Sequence, residues 1–243
     1  MMRFDIMTLF PELVDRVLGE SIIGRAQQAG FIQVNTYNIR DFSEDKHRRV
    51  DDTPYGGGKG MLMMAPPVYN CYEAVLADKR DDTPENERRR VIYMSPKGRV
   101  LTQQRAVELQ RDYDRLIILC GHYEGIDQRV LDEIVDEEIS IGDYVLTGGE
   151  LPACVLVDCV SRLCDGVLAE AVCYEDESIS CGMLEYPQYT RPYEFHGVRV
   201  PDVLISGHHA NIDKWRREES ERLTAERRPD LLDNREEEGC CEK

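Results

Sequence analysis

The sequence lacks any apolar run close to the roughly 20 residues needed to cross a bilayer, so it predicts no membrane-spanning segment. Its first residues, MMRFDIMTLFPELVDRV, place acidic side chains where a signal peptide has an apolar core, so we expect a cytoplasmic chain. Internal repeats and low-complexity tracts are also missing. The hydrophobic fraction of 42% and the charged fraction of 32% are typical of a globular protein, and 243 residues allow one large domain or two small ones.

Metal-binding cysteine patterns are also missing. Nine cysteines occur without a CxxC pair and without zinc-like spacing to the five histidines, so we expect no metal site. Cys154, Cys159 and Cys164 recur every five residues and therefore do not share one helical face. An odd number of cysteines in a chain expected in the cytoplasm predicts reduced thiols, most of them packed as small core residues.

Positive charge is scarce, because 30 Lys and Arg face 47 Asp and Glu, which gives a net charge of −17. This balance argues against a general nucleic-acid-binding domain. Phosphate contacts need only a local basic track, however, so a confined RNA-binding surface stays open. The candidates for that track are residues 46–49, 88–90, Arg191, Lys214, Arg216 and Arg217.

The first two-thirds of the chain alternates strand-like and helix-like segments. Strands are predicted at 2–8, 31–39, 91–95 and 116–120, and helices at 11–20, 102–110, 126–135 and 152–163. Pro11 suits a first helical turn, and Thr102 can cap the helix that follows it. The alternation predicts an α/β fold with a parallel sheet covered by helices on both faces. After a polar, aperiodic stretch at 169–180, a charged helix at 213–228 is typical of a small second domain.

Three glycine-containing segments occupy the same place relative to predicted strands: YMSPKG (93–98), CGHYEG (120–125) and SIGDYVLTGG (140–149). In open α/β sheets, ligands bind at the carboxyl ends of the strands. Loops rich in backbone amides and carbonyls at that edge favour a nucleoside-like ligand. The third loop carries Asp143 and no Lys or Arg, so it does not match a polyphosphate cradle.

Two other patterns indicate chemistry less clearly. TPYGGGKG (53–60) is similar to a phosphate-binding loop, but Gly60 follows Lys59 where Ser or Thr is required. We interpret it as a flexible loop that folds over a large partner, and keep a magnesium-dependent ATP or GTP hydrolase as an alternative. The acidic cluster EDES (175–178) lies in the polar linker, where it is either a solvated turn or a source of a general base. Asp158 and Arg162, four residues apart, can pair on one helical face.

Seven motifs then follow in order: DDTPYGGGKGM, SPKGR, LCGHYEGID, SIGDYVLTGGELPA, YTRP, VLISGHH and WRREES…RRPDLL. On these motifs the chain, from Met2 to about Leu232, resembles the TrmD family of bacterial tRNA (guanine-N1)-methyltransferases. The resemblance implies the trefoil-knotted, parallel-sheet fold of the SPOUT methyltransferases, a C-terminal α-helical domain and a homodimer. The expected divisions are a knotted S-adenosylmethionine-binding domain at 1–168, a linker at 169–180, and a helical tRNA-binding domain with an acidic tail at 181–243. Residue patterns alone predict an unknotted sheet.

The implied activity is transfer of a methyl group from S-adenosylmethionine to N1 of the guanosine at position 37 of tRNA, beside the anticodon. The cofactor carries positive charge and no phosphate, which fits the acidic third loop. Asp51 and Asp52 match family residues associated with the substrate site, and the resemblance leaves a role for Mg²⁺ in catalysis open. The family's cofactor-binding positions correspond here to Tyr93, Met94, Ser95, Pro96, Gly98, Gly121, Tyr123, Glu124, Ser140, Ile141, Gly142, Asp143, Tyr144, Val145, Leu146, Gly148 and Gly149.

The catalytic assignments also rest on the resemblance. Arg162 matches the arginine that stabilises charge on the guanine oxygen. Counting forward from Arg162, or back from Gly182, places Glu177 at the position of the family's aspartate base, with Asp176 one residue away. Nearby departures from the family pattern keep both carboxylates as candidates: Asp165, Ala169 and Gln188. In the implied dimer the linker of one chain covers the cofactor of the other. The alternative is a non-catalytic RNA-binding or regulatory protein that keeps the fold and has lost the base.

Overall fold

The computed structural model describes residues 1–79, 86–168, 178–179 and 182–232. The chain divides into two compact units, Met1–Glu170 and Ala171–Lys243. Within the described ranges, no helix is long and apolar enough to cross a membrane.

The first unit is built on a parallel sheet. Its strands are β1 (Met2–Thr8), β2 (Ile32–Asn38), β3 (Asp51–Asp52), β4 (Leu62–Met63), β5 (Arg89–Val100), β6 (Arg115–Cys120) and β7 (Glu137–Ser140). Five of them form one sheet in the order β2-β1-β6-β5-β7, and every neighbouring pair in it is parallel. The short strands β3 and β4 form a separate antiparallel pair. The predicted parallel sheet is therefore confirmed.

Helices cover both faces of this sheet: α1 (Pro11–Leu18), α2 (Ser21–Gln28), α3 (Ala65–Ala77), α4 (Gln103–Asp112), α5 (Gln128–Ile134) and α6 (Glu150–Ser161). Alternate residues of each strand point to opposite faces. Val91 and Tyr93 accordingly join a buried cluster with apolar side chains of α3 and α5. Helix α6 contacts both α1 and α4, and these helices cover the other face.

Local signals placed several helix ends correctly. Pro11 occupies the first turn of α1, and the Thr102 side chain accepts a hydrogen bond from the Arg105 amide at the start of α4. Helix α1 ends at Leu18, not at residue 20, because Gly19 already closes it with a hydrogen bond from its amide to the Asp15 carbonyl. Helix α6 begins at Glu150, two residues before the predicted start at Pro152. Pro152 is tolerated inside the helix because, in the first turn, its missing amide hydrogen removes no helical hydrogen bond.

A buried ionic cluster ties together the start of the sheet. Asp5 is fully buried and receives hydrogen bonds from the guanidinium groups of Arg3 and Arg115, at 3.0 and 2.5 Å. Arg115 also donates to the Val75 carbonyl near the end of α3. Removal of either arginine would take one of its two guanidinium partners from the buried Asp5 carboxylate, which is more costly than loss of an exposed ion pair.

The thiols of the first unit agree with the sequence interpretation. Cys71, Cys120, Cys154 and Cys164 are buried, Cys159 is partly buried, and all five are free. Burial raises the pKa of the Cys154 and Cys164 thiols to about 11, so they stay protonated at neutral pH. They therefore pack as small apolar residues.

The described residues of the second unit include a short hairpin, β8 (Glu194–Phe195) with β9 (Val198–Arg199), and the helices α7 (Asp202–Ile205) and α8 (His209–Arg227). Helix α8 contains most of the predicted segment 213–228. The segment before the hairpin is held against helix α8 by a hydrogen bond of 2.9 Å from the Leu184 amide to the Thr224 hydroxyl. The hairpin was missed because its strands are too short to show a two-residue period. Only its turn, His196 and Gly197 with φ of 51° and 80°, carries a signal.

Candidate active site

The carboxyl ends of β5, β6 and β7 meet at one edge of the sheet, since these strands are neighbours in the order β6-β5-β7. A cavity of about 490 Å³ opens there. It is lined by residues of the three glycine-containing segments, 93–98, 120–125 and 140–149, together with side chains from β4, α5 and α6. The structure thus brings together segments that are separated in the sequence by 21 and 14 residues.

Most of the predicted cofactor positions border this cavity. Those that line it are Tyr93, Met94, Ser95, Pro96, Gly121, Tyr123, Glu124, Ser140, Ile141, Gly142, Tyr144, Val145, Leu146, Gly148 and Gly149. The wall also includes residues that sequence reasoning missed, among them Leu62, Gln128, Leu131 and Glu138. These come from other segments or stand just outside a motif, so only tertiary packing reveals them. Their part in binding a cofactor stays a prediction.

Gly98 and Asp143 are not among the residues that line the cavity, and their part in binding a cofactor also stays a prediction. A Cβ at Gly98 would lie 2.3 Å from the backbone carbon of Glu138. Gly98 is therefore required where the backbones of β5 and β7 approach closely. Asp143 is exposed in the loop that precedes Tyr144.

The third loop is fastened to the end of β6. His122 and Gly148 form an isolated antiparallel bridge, and the Gly149 amide donates to the Gly121 carbonyl at 2.9 Å. A Cβ at Gly149 would lie 2.8 Å from the Cα of Cys120. No side chain fits between these backbones, so the glycine sets how closely the loop approaches the strand.

Acidic groups and one buried phenol dominate the cavity chemistry. Glu124 and Glu138 line the wall, with Lys97 as a basic neighbour. Burial, followed by the charge of Glu138, raises the pKa of Tyr93 to about 12, so this phenol is neutral at physiological pH. Tyr123 has a left-handed backbone, with φ of 60°, and its hydroxyl accepts a hydrogen bond from Arg40. Strained backbone of this kind is concentrated at functional sites.

Asp51 and Asp52 lie beside the cavity and do not line it. They form β3, and Asp52 pairs with Leu62, a wall residue. The Met63 amide of β4 in turn donates to the Gly125 carbonyl in the loop after β6. The two aspartates are thus one strand removed from the wall.

The glycine-rich stretch 53–60 connects β3 to β4, and Tyr55 at its centre is 98% exposed. A phosphate-binding loop instead joins a strand directly to the start of a helix, whose amides hold the phosphates. This geometry argues against the nucleotide-hydrolase alternative.

Arg162 lies far from the cavity of its own chain. It follows the last residue of α6, where its amide donates to the Asp158 carbonyl at 3.2 Å. The cavity reaches only the amino end of α6, at Pro152, and the ten residues from there to Arg162 rise by about 15 Å along the helix axis. The candidate bases Asp176 and Glu177 lie outside the described residues. Within the described ranges, no group of three or more His, Cys, Asp or Glu side chains is placed to hold a metal ion.

Several arginines of the predicted basic track are engaged in exposed ion pairs. Arg48 contacts Asp41 at 2.9 Å, and Arg88 contacts Asp114 at 2.8 Å. Exposed pairs of this kind contribute roughly 0–1 kcal/mol. A phosphate can therefore replace the carboxylate partner at little cost.

A family model described as tRNA (Guanine-1)-methyltransferase TrmD matches residues 2–234. The chain belongs to this family. A tRNA (guanine-N(1)-)-methyltransferase of Ruminiclostridium cellulolyticum is 59% identical over 231 residues, covering 95% of this chain and 96% of that protein. Proteins of the same name from Clostridioides difficile and Alkaliphilus metalliredigens are each 54% identical, covering 95% of this chain and 97% and 92% of their own lengths.

The predicted TrmD-family membership is confirmed by these matches, and so is the predicted enzyme class. They do not favour the non-catalytic alternative, because relatives matched over nearly their whole length carry the name of a methyltransferase.

Proposed function

We propose that the chain binds S-adenosylmethionine in the cavity at the ends of β5, β6 and β7 and methylates N1 of guanosine 37 in tRNA. The observation that carries the proposal is the convergence of the three glycine-containing loops on that cavity, in a chain matched by the TrmD family model over residues 2–234. Because its substrate is tRNA, we expect it to act in the cytoplasm.

The cavity fits the chemistry of S-adenosylmethionine. Its volume of about 490 Å³ lies within the range of roughly 300–1,000 Å³ common for small-molecule sites. Apolar walls such as Leu131 and Ile139 suit an adenine ring, and backbone groups of the glycine-containing loops suit its polar edge. Glu124 and Glu138 add negative charge, which disfavours a polyphosphate ligand.

We propose that the close backbone approaches in this region belong to a trefoil knot. Gly98 lies against the backbone of Glu138, and Gly149 lies against Cys120. Strand β5 also pairs with β7 on both sides of a register shift between Met94 and Arg99. A chain that returns this closely across two strand ends is what the SPOUT topology requires.

In the proposed reaction the bound cofactor supplies a methyl group on a positively charged sulfur. Glu177, or Asp176 in the other linker register, removes the N1 proton of guanine as a general base. The Arg162 guanidinium stabilises the negative charge that develops on the guanine oxygen. Asp51 and Asp52 contact the substrate from the β3–β4 pair. A role for Mg²⁺ stays open.

The position of Arg162 supports a homodimer with shared sites. Since Arg162 is about one helix length from the cavity of its own chain, it would act on the cavity of a partner. An exposed apolar face beside the third loop supports the same proposal: Leu13, Val17, Val145, Leu151 and Val155 are each at least 40% exposed. Clustered exposed apolar side chains mark interaction surfaces.

We propose that the C-terminal unit binds tRNA and that residues 169–180 are the linker between the two domains. Helix α8 carries Lys214, Arg216 and Arg217, and the Arg216 guanidinium lies 4.9 Å from the centre of the Tyr186 ring. A cation held on an aromatic ring next to other basic side chains is suited to phosphate contacts.

Calorimetric titration with S-adenosylmethionine, ATP and GTP, followed by methyl transfer to a tRNA transcript, tests the proposal. We expect binding of S-adenosylmethionine alone, and methylation of a transcript with guanosine 37 but not of one with adenosine 37. Cofactor binding without turnover on any tRNA would instead support the non-catalytic alternative. Magnesium-dependent binding of ATP or GTP in place of S-adenosylmethionine would overturn the assignment of the cavity.

A further inference from the structure

Two adjacent carboxylates of β7 have opposite environments. Glu137 receives hydrogen bonds from Arg105 and Arg90 on one face of the sheet, and its side chain is 14% exposed. Oε2 of Glu138 is also buried, but it has no hydrogen-bond partner among the described residues. The fold therefore satisfies one of these acidic groups and leaves an oxygen of the other unpaired.

The location of Glu138 indicates what its free oxygen faces. Glu138 is in register with Tyr93 of β5, so the two side chains project from the same face of the parallel sheet. Both line the cavity, together with Leu131 of α5 and Ile139. Lys97 borders the same wall, but Oε2 of Glu138 has no hydrogen-bond partner there among the described residues.

A buried carboxylate oxygen without a donor is unfavourable, and the cost is removed when a bound ligand supplies the donor. In α/β nucleotide-binding folds, a carboxylate near the carboxyl end of a strand accepts hydrogen bonds from ribose hydroxyls. Glu138 has that placement, because it is two residues from the end of β7 and next to the loop that contains Gly142. Its apolar neighbours Leu131 and Ile139 suit a neutral sugar better than a desolvated ammonium group.

We propose that Glu138 binds the ribose of the cofactor through its 2′- or 3′-hydroxyl and so selects a ribonucleoside ligand. The inference rests on the proposed binding of S-adenosylmethionine in this cavity. It assigns a role to a residue outside the positions carried over from the family resemblance, and it explains why this wall keeps an unpaired carboxylate.

The test is calorimetric and does not depend on turnover. S-adenosylhomocysteine and its 2′-deoxy and 3′-deoxy analogues are titrated into the wild type, Glu138→Gln, Glu138→Ala and the control Glu137→Gln. A hydrogen bond to a charged group corresponds to roughly a 10- to 100-fold change in affinity. We expect a loss of that order for Glu138→Ala with the parent ligand. At least one deoxy analogue should bind the wild type roughly 10- to 100-fold more weakly than S-adenosylhomocysteine does. The same analogue should bind Glu138→Ala no more weakly than S-adenosylhomocysteine binds that variant.

The control separates ligand contact from damage to the fold. Glu137→Gln removes charge from the ion pairs with Arg90 and Arg105, so we expect lower stability with nearly unchanged affinity. Equal discrimination against both deoxy analogues in the wild type and in Glu138→Ala would overturn the ribose assignment. If the alanine variant does not fold, failure of the wild type to discriminate against either analogue overturns it equally. Failure of the wild type to bind S-adenosylhomocysteine and S-adenosylmethionine at all would instead reject the proposed function.

Discussion

The hydroxyl of Thr8 donates a 2.8 Å hydrogen bond to Oε1 of Glu150, 142 positions later in the chain. Both residues are buried, with 0% and 5% of their surface exposed. Thr8 ends β1 and Glu150 begins α6 directly after Gly149, so this bond fixes the start of α6 against the sheet. It thereby anchors one end of the loop that lines the proposed cofactor cavity.

Replacement of Thr8 by valine tests this anchor. Valine keeps the shape of threonine but leaves the buried Glu150 carboxylate without its donor, and it also removes the acceptor of the Phe10 amide. We expect the free energy of unfolding to fall by about 1–3 kcal/mol in denaturant titrations. Thr8→Ser keeps the hydroxyl and should lose clearly less. Equal losses in the two variants would show that packing of the methyl group, and not the hydrogen bond, matters at this position.

Local patterns predicted four strands of the sheet and the helices α1, α4, α5 and α6 of the first unit, but they missed β7, α2 and α3. Apolar runs such as 116–120 are long enough to identify a buried strand, and Thr102 and Pro11 act through their immediate neighbours. The general position of the site followed as well, because loops after parallel strands share one edge. The family resemblance, and not these patterns, supplied the identity of the ligand.

Other features depend on contacts that no local pattern encodes. Leu62 and Leu131 reach the cavity wall through the packing of β4 and α5 against the loop after β6. Gly98 lies in a glycine-containing segment, as the other loop glycines do. Its role, however, is set by the backbone of Glu138, forty residues later. The unpaired oxygen of Glu138 becomes evident only when its neighbours are in place.

The close approach of the Gly98 backbone to that of Glu138 and Ile139 predicts that Gly98→Ala is strongly destabilising. A Cβ at Gly98 would lie within 2.5 Å of three backbone atoms of Glu138 and Ile139, and no rotation of a side chain can relieve these contacts. We expect a loss of at least about 1–3 kcal/mol in the free energy of unfolding, the usual range for overpacking. The control Val100→Ala removes a side chain that is 51% exposed on the same strand and should change stability little. A stable Gly98→Ala variant would mean that the backbone of Gly98 lies farther from that of Glu138 in solution.

The two proposed ligands should respond differently to salt. Phosphate contacts by Arg and Lys release counterions, so tRNA affinity should fall steeply as salt rises, whereas affinity for S-adenosylmethionine should change little. Titrations of both ligands across a salt series measure the two slopes. Arg217→Gln on α8 should reduce the tRNA slope by about 1 if this side chain contacts a phosphate. A flat tRNA curve would contradict the basic track.

A shared site predicts which inactive subunits can complement each other. Arg162→Ala and Glu177→Gln should each lose activity as homodimers. Because Arg162 and the linker of one chain are both proposed to act at the partner's cavity, each site of a mixed dimer lacks one of the two groups, so the mixed dimer should stay inactive. Tagged subunits purified as heterodimers allow the rate per dimer to be measured. Recovery of about one working site, after exchange is verified by the tags, would assign the two residues to different chains.

The last prediction separates the two candidate bases. Removal of a positioned general base lowers the rate by about 10²- to 10⁴-fold. Glu177→Gln should therefore lose single-turnover methylation on that scale, whereas Asp176→Asn should lose much less. Both variants should bind S-adenosylmethionine normally, because we assign the carboxylate to proton removal and not to the cofactor cavity. The reverse ranking would place Asp176 at the base position, one residue away in the linker register. If neither substitution slows the reaction, the N1 proton leaves by another route and the carboxylate mechanism is wrong for this chain.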